Sequence, residues 1–172
     1  MKHFPTFLAF DLETANARTG SICSIAFAVI EKGKVKHFHS DLIKPETPIC
    51  APFTKIHGIT NAMVYHAIDF DSYWKQARTY FNQVDFICAH NVSFDKRHLS
   101  FYEELNIPFL CTMKLANELW LVPDKKLTTV AQFLGIDHGT HHNASDDAYT
   151  CAQIMIEILK DETFDLSTVL NR

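Results

Sequence analysis

The segment Phe7-Leu8-Ala9-Phe10-Asp11-Leu12-Glu13-Thr14 closes an apolar run with two carboxylates two residues apart, and no other stretch constrains the fold as much. A strand sends alternate side chains to one face, so Asp11 and Glu13 project together from a segment otherwise fit for burial. Two ionised acids side by side repel. In a partly buried place that repulsion points to a bound cation or a shared proton. The alternative is a strand that ends here, with both acids meeting water.

The rest of the chain supplies a setting for such a pair. Its 172 residues fit one domain, 1–172, and the 47% hydrophobic content is enough for a sizeable core rather than disorder. No apolar run approaches the roughly 20 residues needed to cross a bilayer. The start, Met1-Lys2-His3-Phe4-Pro5, lacks the pattern of a signal peptide, so a cytoplasmic protein with no membrane association is expected. Cys23, Cys50, Cys88, Cys111 and Cys151 are odd in number and form no Cys-x-x-Cys, which argues against a disulfide framework or a thiolate zinc site. Acids outnumber bases 20 to 16, excluding a generally basic surface for long nucleic acid. Were four acids metal ligands, the remainder would balance.

The pattern predicts strands over 7–12, 21–30 and 35–43, the last two joined by a turn at Glu31-Lys32-Gly33-Lys34. Three prolines suggest a long ordered loop over 44–61. Helical spacing over 70–81 predicts a helix capped by Asp69 or Asp71, and 84–89 a short buried strand. Asn91 is a suitable N-cap for a helix running to about Leu105. A strand over 109–112 precedes a helix over 113–120. Thr129 to Gln132 fits a capping box, with Gly135 closing that helix, and a last helix spans about 145–159. A hairpin meander followed by alternating strands and helices points to an α/β fold with a mixed sheet and helices on its faces.

Acids able to join Asp11 and Glu13 should lie in polar turns beside buried elements. Asp95, in a first helical turn, and Asp147, opening the last helix, meet that description, although either could simply answer a helix dipole. Asp147 borders the apolar stripe through Cys151, whereas Asp146 points further toward solvent. Four convergent carboxylates would hold two divalent ions about 4 Å apart, the clamp for an in-line phosphoryl displacement. Oxygen-only ligation favours Mg or Mn. His142, on the turn with His138 and His141, suits the base for an attacking water. The other reading of these histidines is a surface loop or a zinc site.

Asp11-x-Glu13, His90-Asn91-x-x-Phe94-Asp95 and His142-x-Ala144-x-x-Asp147-Ala148 resemble, in order, the three motifs of the DEDDh superfamily of exonucleases, which includes the proofreading epsilon subunit of bacterial replicative polymerases. The resemblance also takes in Ile56-His57-Gly58-Ile59-Thr60 and the stretch from Leu127 to Ile136. It implies a ribonuclease-H-like fold with a five-stranded mixed sheet flanked by helices, and 3'-to-5' exonuclease activity that releases nucleoside monophosphates. Asp11, Glu13, Asp95 and Asp147 would bind two divalent cations, Mg or Mn, and His142 would deprotonate the water. Thr14 would meet the terminal 3' hydroxyl, with His57, Asn91 and Phe94 lining the pocket for the last nucleotide. Many members follow the first motif with Thr-Gly, where this chain has Thr14-Ala15.

The implied partner is a single-stranded 3' end, DNA ahead of RNA, with a DNA polymerase subunit as a further partner. An RNA-trimming enzyme similar to ribonuclease T or oligoribonuclease is the main alternative. A noncatalytic nucleic-acid or polymerase-binding module predicts loss of a ligand or of the histidine, yet all five are present.

Overall fold

The computed structural model describes residues 4–170. Six strands form one sheet in the order β4-β3-β2-β1-β5-β6: β1 (Phe7–Thr14), β2 (Ile22–Glu31), β3 (Lys34–Lys44), β4 (Ile68–Asp69), β5 (Phe86–Ala89) and β6 (Phe109–Cys111). The helices are α1 (Ala51–His57), α2 (Asn61–Val64), α3 (Phe70–Asn82), α4 (Val92–Leu99), α5 (Thr112–Leu119), α6 (Leu127–Phe133), α7 (Ala144–Lys160) and α8 (Leu166–Leu170). The expected hairpin meander forms β1 to β3, which pair antiparallel, while β5 and β6 continue the sheet parallel to β1. The expected five strands become six because two residues, Ile68 and Asp69, pair with the end of β3. That strand is too short to leave a period-two signal.

Central β1 is buried on both faces, and its alternation sorts the helices into two layers. Leu8, Phe10 and Leu12 pack with Tyr73, Trp74 and Phe81 of α3. Phe7 and Ala9 pack on the other side with Cys151, Ile154, Met155 and Ile158 of α7. By the same parity Asp11 and Glu13 face the α7 layer. Ala26, which pairs with Asp11 in the sheet, packs against Ala144 and Ala148. Small residues on both sides let the start of α7 approach the sheet where the two acids emerge.

Four local expectations are corrected. The stretch 44–61 carries α1, because Pro52 sits in its first turn, where a missing N–H costs nothing, and Gly58 ends it at φ 75°. Asn91 stands at the start of α4 in the left-handed conformation, φ 69°, and makes no capping bond; it is the sharp corner between β5 and α4. Helix α4 ends at Leu99 rather than near Leu105. Thr129 lies inside α6, which begins at Leu127 without a side-chain cap. Elsewhere Asp69 caps α3 by accepting the Ser72 N–H at 2.8 Å, and Gly135 follows α6 at φ 70°. Cys23, Cys88, Cys111 and Cys151 are buried free thiols. Among the described residues no helix is long and apolar enough to cross a membrane.

The loop from β1 to β2 is tied down beside the site. The Ala15 N–H donates to Ser21 O at 2.6 Å, Gly20 N–H to His98 Nδ1 at 3.1 Å, and the Tyr102 hydroxyl to Gly20 O at 2.6 Å. Gly20 has φ 82°, and a Cβ there would lie 2.3 Å from Phe101 Cδ1. Gly20→Ala should therefore destabilise the protein by about 1 to 2 kcal/mol, read as a lower urea midpoint; an unchanged midpoint would contradict the strain assigned to this corner.

Candidate active site

Asp11 and Glu13 leave β1 where its pairing with β2 shifts register between Glu13 and Thr14. Glu13 pairs with Ser24 and Thr14 with Ile22, so the extra residue is Cys23 of β2 and the ladder is interrupted beside Glu13. One carboxylate oxygen each from Asp11, Glu13 and Asp147 lies within 4.8 Å of the others. Asp147 reaches this point because Asn143 caps α7, accepting from the N–H groups of Ser145 and Asp146. The helix then turns Asp147 inward, 4% exposed, and leaves Asp146 to accept the Thr140 N–H at 2.8 Å.

Asp95 joins from α4, whose Leu99 belongs to the α3 layer, so the acids come from both layers and the strand between them. It is 2% exposed and takes a hydrogen bond from the Leu12 backbone, but its Oδ1 is buried with no hydrogen-bond partner. Asp95 stands beside the cluster of three rather than within its 4.8 Å limit.

The electrostatics are those of an acid cluster in need of a cation. Burial, then the charges of Asp95, Glu13 and Asp147, push the Asp11 carboxyl well above the usual range. Burial and the Asp147 and Asp95 charges push Glu13 up to about 8. Asp95 and Asp147 are raised mainly by burial, Asp147 against the opposing pull of His141 and His142. An orphaned buried oxygen, hard oxygen donors and mutual repulsion fit a divalent metal.

These shifts carry a stability consequence. A carboxyl whose pKa is raised by folding binds more protons in the native state, so its contribution is intact below its unfolded pKa and is lost as pH rises through the folded one. For Glu13 that window runs from 4.5 to about 8. Metal-free protein should thus lose unfolding free energy across this range, and Glu13→Gln should flatten the slope. Urea titrations in chelator at several pH values check this; a variant as pH-dependent as wild type would contradict it.

His142 sits at the acid cluster with φ 61°, and its own N–H donates to Asp147 Oδ2 at 2.9 Å. The candidate base is thereby tied to a candidate ligand. Its ring stacks on His141 at 3.9 Å, and His141 Nδ1 lies 3.4 Å from Asp147 Oδ2. Burial, then the neighbouring His141, lowers the His142 pKa from 6.5. His138 lines a separate cleft with Phe38 and Tyr149, so the turn does not gather its three histidines around one point.

A pocket of about 640 Å³ holds all the residues singled out in the sequence: Asp11, Glu13, Asp95, Asp147 and His142, with Thr14, His57, Asn91 and Phe94. The His57 Nε2 lies 3.1 Å from Thr14 O and its Nδ1 accepts the Ile59 N–H, so the end of α1 is locked to the end of β1. Phe94 is 38% exposed, a pocket wall rather than core. The pocket is also lined by His141, His90, Phe53, Ile56, Lys125 and Lys126, to which the sequence motifs assign no role. The tandem His141-His142 was a visible signal for the first. His90 and Ile56 each open a stretch that carries the resemblance, while Phe53 lies in α1, where the prolines point to a loop, and Lys125 and Lys126 lie between helices, where no spacing rule applies.

A mixed sheet with its central strand ending in a carboxylate cluster that faces the first turn of a late helix defines the ribonuclease-H-like class. Comparison with known proteins narrows this. The exonuclease family profile, RNase_T, matches residues 8–155, and the chain belongs to that family in its DnaQ-like, DEDDh branch. It is 33% identical over 157 residues to Exodeoxyribonuclease 10 of Escherichia coli strain K12, covering 87% of this chain and 66% of the relative. It is 27% identical over 163 residues to the PolC-type DNA polymerase III of Thermotoga maritima, covering 90% of this chain but 12% of the polymerase. The chain thus spans just under two thirds of the first relative and a small part of the second. A solved structure described as Exonuclease X in complex with 5' overhanging duplex DNA superposes with a TM-score of 0.80 at 28% identity, over 94% of this chain and 95% of the other. A 3'-exonuclease bound to a histone mRNA stem-loop shares the fold, with a TM-score of 0.77 at 17% identity over 93% and 65% of the two chains.

Proposed function

We propose that the protein is a metal-dependent 3'-to-5' exonuclease that hydrolyses nucleic acid, DNA ahead of RNA, and releases nucleoside 5'-monophosphates. The observation that carries this reading is the meeting of the Asp11, Glu13 and Asp147 donors within 4.8 Å, beside the orphaned Asp95 oxygen and His142. Asp11, Glu13, Asp95 and Asp147 would hold two divalent ions, Mg or Mn, which would supply Lewis acidity for the scissile phosphate and the attacking water. His142, tethered through its N–H to Asp147, accepts the proton of the attacking water. The depressed pKa keeps its imidazole neutral near pH 7.

Thr14, held at its carbonyl by His57, faces the 3' hydroxyl, while Asn91 and the half-exposed Phe94 receive the last nucleotide, its base on the Phe94 ring. The names of Exodeoxyribonuclease 10 and of the DNA-bound Exonuclease X support DNA as substrate. The PolC relatives extend the reading to a polymerase subunit as a protein partner. In this reading 1–172 forms one exonuclease domain acting in the cytoplasm.

The test is incubation of single-stranded DNA, duplex DNA and RNA, each with a free 3' end, with Mg or Mn, beside Asp11→Ala and His142→Ala. Mononucleotides released from DNA fastest, and not by Asp11→Ala, are expected. Release from RNA alone would transfer the assignment to the RNA-trimming alternative, and no release from any substrate would end it.

A further inference from the structure

We propose that Lys125 and Lys126 hold the phosphodiester next upstream of the scissile one, and that His90 is the positioning residue that keeps them over the pocket. The proposal rests on the exonuclease reading above and deepens it.

Lys125 and Lys126 are the two lysines among the residues lining the pocket, which otherwise presents five carboxylates and four imidazoles. A nucleic-acid strand entering it brings one phosphate to the metal ligands and further phosphates behind. Those need cations of their own, because the acid cluster repels them. The chain as a whole, at net charge −4, offers no general attraction.

Surface lysines are ordinarily uncommitted; here their backbone is pinned. Both lie in residues 120–126, which link α5 to α6 without regular structure. His90, the first residue beyond β5, bridges from the sheet to this segment: its Nε2 lies 2.8 Å from Lys125 O and its Nδ1 3.0 Å from Thr112 Oγ1. A carbonyl oxygen only accepts, so Nε2 carries the proton and Nδ1 accepts from the threonine hydroxyl. One neutral imidazole thus fixes the lysine backbone relative to β5 and α5. Asp124 Oδ1 adds a tight turn by accepting the Lys126 N–H at 2.8 Å, and its Oδ2 lies 3.7 Å from Lys126 Nζ. Among the described residues no carboxylate pairs with Lys125 Nζ, which leaves that ammonium for the substrate.

Two substrates separate this role from the chemistry. A single-stranded oligonucleotide carries upstream phosphates; the p-nitrophenyl ester of thymidine 5'-monophosphate has the scissile phosphodiester alone. For the Lys125→Ala, Lys126→Ala double variant, kcat/KM on the oligonucleotide should fall about tenfold or more, chiefly through KM. The loss on the ester should be several-fold smaller. The plot of log kcat/KM against log salt should become shallower by about 0.7 for each phosphate contact removed. His90→Ala should show the same pattern, and His90→Gln, whose amide can still donate to the Lys125 carbonyl, should recover most of the loss. Equal losses on both substrates, a loss in kcat alone, an unchanged salt slope, or no rescue by glutamine would overturn the proposal. Wild-type protein that cleaves neither substrate would instead overturn the exonuclease reading itself.

Discussion

Asparagine in place of Asp11 should lower phosphodiester hydrolysis about a thousandfold or more, because the several kcal/mol a bound metal contributes are lost at about 1.4 kcal/mol per factor of ten. The same substitution should make the metal-free protein harder to unfold. Asp11 is pushed up by burial and by all three neighbouring acids, and a neutral amide removes that repulsion without changing shape. Activity and metal-free stability thus move in opposite directions, which a merely structural residue would not do. Kinetics with Mg or Mn, beside thermal melts in chelator, check both halves. A variant that keeps its activity, or one that loses stability along with it, would contradict the assignment.

Removal of the imidazole in His142→Ala should lower kcat by about 100- to 10,000-fold, the range for a positioned general base. Stabilisation by added metal should survive, since the four carboxylates remain. The pH profile gives the sign. A base works only when neutral, and burial together with His141 lowers the His142 pKa from 6.5, so the acid limb of wild-type kcat should fall below pH 6.5. In His142→Ala that limb should disappear. Persistence of a limb at the same pH in the variant would assign it to another group, and a flat wild-type profile would remove His142 as base.

How much of this was legible beforehand depended on how local each signal was. Asp69 as the cap of α3, the β2 to β3 hairpin and the inward turn of Asp147 rather than Asp146 follow from neighbours within one turn of chain. Strand β4 did not, since its two residues pair with β3 only because the chain returns there. Asn91 carries a residue type that suits both a cap and a left-handed corner, and the abrupt passage from buried β5 into α4 selected the corner. Helix α1 was obscured by prolines, one of which sits at a position where helices accept it.

For the site, the chemical identity of Asp11, Glu13, Asp95, Asp147 and His142 lay in the sequence, because motif spacing is a property of short segments. So did the acid charge that calls for a cation. Only the packing of the helices on the sheet determined that these residues meet. Asp11 and Glu13 face α7 by strand parity, and alanines at 26, 144 and 148 let that helix close on them. The extra residue Cys23 of β2 interrupts the ladder beside Glu13, and Asp95 arrives from the opposite layer. The His141 stack and the imidazole bridge from His90 to Lys125 likewise belong to tertiary structure, since they join residues brought together by packing and not by spacing along the chain. Like charges gather only where a folded core holds them against their repulsion, and that core is built from contacts distant in sequence.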